Sequence, residues 1–137
     1  MNLDPANPDG PPDLALGRLR LWVHGIDDDQ WLDVTARCES DVSCVSFRGP
    51  FAALWDLQKF LPECERLDRE LKGTAVFQST QPGLEMRLEA DRLGFIHVVI
   101  RLAPEGRAEV HEYEEGMEPV ELQPLIRAIR AIVARWS

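Results

Sequence analysis

The feature that most limits how this chain can fold is its repeated two-residue alternation of apolar and polar side chains. Leu19, Leu21 and Val23 alternate with Arg18, Arg20, Trp22 and His24, and Leu32, Val34, Ala36 and Cys38 alternate with Asp33, Thr35, Arg37 and Glu39. A period of two puts one set on each face of an extended chain, so each run predicts a strand with one buried face. Further runs cover Thr74 to Ser79, Leu84 to Asp91, Ile96 to Leu102 and Arg107 to Glu114. Gln81-Pro82-Gly83 and Arg92-Leu93-Gly94 supply turns between them. If Ser40 and Asp41 form a two-residue loop, another strand pairs with Cys38 opposite Ser43, Ala36 opposite Val45 and Val34 opposite Phe47. That register turns Cys44 away from Cys38 and brings the expected total to about seven strands.

Two segments carry the helical period instead. After Gly49, Pro50 suits a first helical turn, and Phe51, Leu54, Leu57, Leu61, Cys64, Leu67 and Leu71 follow at three- and four-residue steps. Pro62 should kink or divide this helix and Gly73 should end it. Near the end of the chain, Leu122, Leu125, Ile126, Ile129, Ile132, Val133 and Trp136 share one face. Glu118 and Glu121 at its start and Arg127, Arg130 and Arg135 further along complement the helix dipole. The predicted fold is α+β: a twisted, mainly antiparallel sheet of about seven strands packed by a central helix and a C-terminal helix. No internal repeat is read along the chain.

The chain has 137 residues, 45% of them hydrophobic and 28% charged, which is the composition of an ordinary globular protein. Residues 14–137 are expected to form one domain. Residues 1–13 carry Pro5, Pro8, Pro11 and Pro12 among Asp, Asn and Gly, and read as a loose tail. No apolar stretch approaches the roughly 20 residues of a membrane span, and the opening residues lack the basic and apolar regions of a secretory leader. The expected location is cytoplasmic, with no membrane partner. A net charge of −9 repels phosphate backbones, and no local basic face is read, so nucleic acid is not expected as a partner.

Catalytic chemistry is hard to find. The chain holds no GxSxG, no P-loop, no HExxH and no GxGxxG, and its three histidines, His24, His97 and His111, fall on three different strands. Cys38, Cys44 and Cys64 form no CxxC pair, and buried free thiols are expected in place of a zinc site. Neither a metal nor a cofactor is expected, and the chain is read as a non-enzyme. Two acidic groups remain: Asp27, Asp28 and Asp29 in the first turn, and Glu112, Glu114, Glu115, Glu118 and Glu121 before the last helix. Neither has the alternating spacing of a calcium loop. Each is either a solvated edge that discourages aggregation or a docking surface for a basic protein. Trp22 and Trp31 stand beside the first group on the polar side of their strands, and either pack against a helix or anchor an interface.

Four short segments, taken in order, resemble a known family. They are Gln30-Trp31-Leu32 opening a strand, Trp55-Asp56-Leu57-Gln58-Lys59-Phe60-Leu61 in the first helix, Leu71 to Ser79, and Arg92 to Ile100. The pattern is similar to that of the WapI-type immunity proteins over roughly residues 16–136. The departure is Met117 to Leu125, where an acidic-polar step with an aromatic is usual. The resemblance implies a cytoplasmic protein that binds and neutralises a cognate polymorphic toxin, a basic toxin being the natural complement of an acidic inhibitor. The expected partner-binding residues are Asp27, Asp28, Asp29, Trp31, Glu112, Glu114, Glu115 and Glu118. The alternative is a small-ligand pocket between sheet and helices, lined by Trp22, Trp31, Trp55 or Trp136, or a module that pairs as a homodimer.

Overall fold

The computed structural model describes residue 8, residues 10–104 and residues 109–137. Strands β1 (Leu14–Leu16), β2 (Leu19–Ile26), β3 (Trp31–Glu39) and β4 (Cys44–Ala53) form one antiparallel meander, which leads into helix α1 (Leu54–Glu70). Strands β5 (Gly73–Gln78), β6 (Leu84–Ala90), β7 (Ile96–Leu102) and β8 (His111–Met117) form a second, followed by a 3-10 turn at Pro119–Glu121 and helix α2 (Leu122–Trp136). The α+β class and the antiparallel pairing are those expected, with eight strands in two sheets in place of about seven in one. The additional strand is β1, whose Leu-Ala-Leu is too short to show an alternation. The tail expected at 1–13 lies largely outside the described residues, as does the start of the run expected at Arg107.

Several boundaries differ from expectation for local reasons. Ser40 closes a four-residue turn in which its N–H donates to Ser43 O at 2.8 Å and its Oγ accepts from Val42 N and Ser43 N. The longer loop moves the β3–β4 register by two, pairing Cys38 with Val45, Ala36 with Phe47 and Val34 with Gly49. A shift of two keeps every side chain on its face, so the apolar set still points inward. Strand β4 continues through Pro50 to Ala53, so α1 starts four residues later than Pro50 suggested. Proline is tolerated there because β4 is an edge strand. Helix α1 runs through Pro62 without division and ends at Leu71, itself left-handed at φ 52°, two residues before Gly73.

The element order, four strands and a helix stated twice, is an internal repeat that side-chain identity hides. Its signature is the middle hairpin of each sheet. Asp27 Oδ1 accepts from Asp29 N and Trp31 N, and Asp91 Oδ1 accepts from Leu93 N and Phe95 N, with matching backbone bonds Asp27 N to Trp31 O and Asp91 N to Phe95 O. The helices exchange places between the halves: α1 packs mainly on β5, α2 packs on β1, and the two helices meet each other.

Both sheets turn their apolar faces into one buried cluster with the helices. Leu19, Val34, Ala36 and Cys38 come from the first sheet, Met86, Leu88, Val98 and Ile100 from the second, and Phe60, Leu67, Leu122 and Ile129 from the helices. Each large aliphatic side chain removed from water contributes roughly 1.5–3 kcal/mol. The free edge of β5 is closed by α1, whose Glu63 Oε1 accepts from Val76 N at 3.0 Å while Arg66 Nη2 donates to Thr74 O at 3.2 Å.

Candidate functional site

The β2–β3 turn is built by its first aspartate. With Asp27 accepting two backbone N–H groups and Gln30 left-handed at φ 69°, the chain reverses and leaves Asp28 and Asp29 in solvent. Asp27 is therefore a scaffold residue of the tip. Leu54 N donates to Gln30 O at 2.9 Å, which fastens the turn to the start of α1. Trp31, half-buried, meets Trp55 edge to face, with ring centroids 5.5 Å apart and planes at 67°. Trp55 Nε1 in turn donates to Thr80 Oγ1 at 3.0 Å. Asp56, buried, ties these pieces together by accepting from Ala53 N, Thr80 N and Thr80 Oγ1, each at 2.9 Å. Two exposed carboxylates thus project beside a tryptophan pair held on a rigid base.

The second acidic group does not form one strip. The alternation of β8 sends Glu112 and Glu114 to the outer face of the second sheet, where Arg101 Nε lies 2.6 Å from Glu112 and His97 Nε2 lies 3.8 Å from Glu114. Glu115 faces the other way, toward the first sheet, and its Oε2 accepts from Arg18 N at 3.0 Å. It fills the place a Cβ on Gly17 would need, 2.2 Å from its carboxyl carbon, and Gly17 is left-handed at φ 55° besides. Glu118 precedes the 3-10 turn, its N–H donating to Glu121 Oε2 at 2.7 Å. Glu115 meets the β1–β2 turn, whereas Asp27 to Asp29 lie beyond the opposite end of β2, about 23 Å away at some 3.3 Å per residue. The structure thus separates the residues expected to act together.

The other groups of interest have local roles. His24 Nε2 lies 2.7 Å from Thr35 Oγ1, and its pKa is lowered first by burial and then by the Arg48 cation. Arg48 forms a two-bond pair with Asp33, at 3.0 and 2.6 Å, which holds the Asp33 carboxyl below its ordinary range. Trp22 Nε1 donates to Gly10 O on the outer face of the first sheet. Cys38 and Cys64 are buried, and burial pushes each thiol up to about 12; Cys44, expected to be buried, is exposed at the start of β4. Among the described residues, no group of three His, Cys, Asp or Glu is placed to hold a metal ion, and no helix is long and apolar enough to cross a membrane. Sequence reading named Trp55 with Trp31 only as candidate linings of a ligand pocket and missed Thr80, because both reach Trp31 through the contact of α1 and the β5–β6 turn with the first hairpin.

The model of the Immunity protein WapI-like family matches residues 14–137, both four-strand-and-helix halves together. The chain belongs to the WapI-like immunity protein family. No curated protein and no solved structure matches it. Membership of the WapI-like family points to an immunity role and makes a protein toxin the general kind of partner. In this WapI-like chain both the tryptophan pair and the acidic tip fall inside the matched segment.

Proposed function

We propose that this protein binds and neutralises a cognate polymorphic toxin by direct contact, without catalysis, and that the β2–β3 tip is its principal docking element. The observation that carries this reading is the pairing of exposed Asp28 and Asp29 with the Trp31–Trp55 pair in a member of an immunity family. Aromatic side chains with a rigid base are common energetic centres of interfaces, and carboxylates beside them steer a basic partner. With a net charge of −9 the whole molecule attracts such a partner, and the rate of encounter falls as salt rises. Residues 14–137 act as one unit in the cytoplasm of the producing cell. Of the acidic residues expected at the interface, Asp28 and Asp29 supply free charge; Asp27 and Glu115 hold turns, and Glu112 and Glu114 face Arg101 and His97.

The test is a double substitution, Asp28→Asn with Asp29→Asn, titrated with the cognate toxin. Affinity is expected to fall roughly tenfold, mostly at low salt, with the melting temperature unchanged because neither side chain is buried. Unchanged affinity would remove the tip from the interface.

A further inference from the structure

The tryptophan pair at the β2–β3 tip and the carboxylates beside it define the chemistry of the group they fit. Trp31 and Trp55, both half-buried, meet with ring centroids 5.5 Å apart and planes at 67°, a corner in which a group resting on one ring comes within reach of the other. Trp55 is held through its Nε1 bond to Thr80 Oγ1 at 3.0 Å, and the backbone of Trp31 through its N–H bond to Asp27 Oδ1 at 2.9 Å. Asp29 N donates to that same oxygen at 2.9 Å, so two bonds to one atom keep the Asp29 and Trp31 backbones within about 6 Å of each other.

The surrounding charges favour a cation. The segments that meet here carry the carboxylates of Asp27, Asp28, Asp29, Asp33 and Asp56, against the cations of Arg48 and Lys59. Arg48 is committed to Asp33 by two bonds, the lowered pKa of His24 leaves that ring uncharged at neutral pH, and the turn from Ser79 to Gly83 carries no charge. With exposed Lys59 set against one carboxylate, the locality remains negative. Asp27 and Asp56 are occupied by backbone and threonine donors, whereas Asp28 and Asp29 are exposed and their carboxylates make no bond among the described residues. A cation within about 6 Å of an indole centroid is attracted by the ring's quadrupole, and the chain uses that contact elsewhere, with Arg135 Cζ 4.7 Å from the Trp136 ring centroid. A planar guanidinium can lie flat on a ring while its N–H edge bonds a carboxylate, a combination that the compact, strongly hydrated ammonium of lysine does not match.

We propose that the Trp31–Trp55 corner, with Asp28 and Asp29, is a receptor for a single arginine side chain of the partner, which stacks on the indoles and bonds the carboxylates through its N–H edge. This names the anchor on the toxin and rests on the docking reading above.

The test uses N-acetyl-arginine amide, with its lysine and citrulline analogues, titrated into the full chain at low salt while the indole Nε–H NMR signals are followed. Saturable shifts are expected at Trp31 and Trp55 with a dissociation constant on the order of 10 mM, and none at Trp22 or Trp136. The lysine analogue should bind about threefold more weakly, and the citrulline analogue, which keeps the shape without the charge, should not bind measurably. Asp28→Asn with Asp29→Asn should weaken arginine binding by about threefold or more, Trp31→Phe should also weaken it, and Lys59→Gln should tighten it by about twofold. Citrulline binding as well as arginine, lysine binding as tightly, equal shifts at all four tryptophans, or no saturation by about 100 mM would each overturn the assignment. If the double variant loses toxin affinity but the arginine probe fails, the receptor falls and the docking tip stands. If the probe binds as predicted while toxin affinity is untouched by the variant, the docking tip falls instead.

Discussion

At the scale of single residues, buried and exposed positions of the same type should behave differently. Cys44 is exposed while Cys38 and Cys64 are buried with thiols pushed up to about 12, so an alkylating reagent at neutral pH should label Cys44 alone until denaturant is added. Rapid native labelling at Cys38 or Cys64 would contradict the packing. Asp56 offers a second case. Its buried carboxylate accepts three bonds that join the start of α1 to the β5–β6 turn, and Asp56→Ala should cost about 2 kcal/mol in a denaturant titration. His24 and Asp33 set a pH dependence. Both have lowered pKa values in the folded state, so the unfolded chain takes up protons more readily. Stability is lost as pH falls, first below the ordinary His value of 6.5 and then below the Asp value of 3.8. Replacing His24 by Gln should reduce the drop in melting temperature between about pH 7.5 and about pH 5; an identical drop would exclude His24 as its source.

At the scale of elements, α2 offers the sharpest contrast. Ile129 is fully buried and Arg127 exposed on the same helix, so Ile129→Ala should lower stability by about 2–5 kcal/mol while Arg127→Ala stays within about 0.5 kcal/mol. A small effect at Ile129 would mean that α2 does not close the core. This helix was legible from sequence because seven apolar side chains repeat at its period and nothing else competes for them. β2, β3, β6 and β7 were legible for the same reason, down to which face their side chains take, but in β8 Tyr113 packs against the core while Val110, expected on the apolar face, is exposed. What escaped were features decided by contacts between elements. Pro50 reads as a helix start, yet β3 offers pairing to Ala52 and Ala53 and keeps that segment extended. The repeat escaped because Asp27 and Asp91 share a bonding pattern but sit in unlike sequences. Glu112, Glu114 and Glu115 read as one strip, although the alternation that identified their strand puts Glu115 on the opposite face.

At the scale of the whole molecule, the two halves exchange helices around one core and leave two separate regions of charge on the first sheet. Acid gathers at the β2–β3 tip with the tryptophan pair, and base gathers at the β1–β2 end with Arg18, Arg20 and Arg37. Net charge alone concealed the second, which is why the composition argued against nucleic acid and no basic face was read, while the register brings Arg20 beside Arg37. Family membership directs the functional reading to the acidic end, since the immunity role calls for a surface that a toxin can meet. The most direct test of that claim is a calorimetric titration of the cognate toxin into the native chain and into the Asp28→Asn, Asp29→Asn variant, at low and at high salt. Saturable binding that weakens with salt and weakens further in the variant is the predicted result. Equal affinity for both chains at both salt concentrations, or no binding to a toxin from which the chain protects cells, would contradict it.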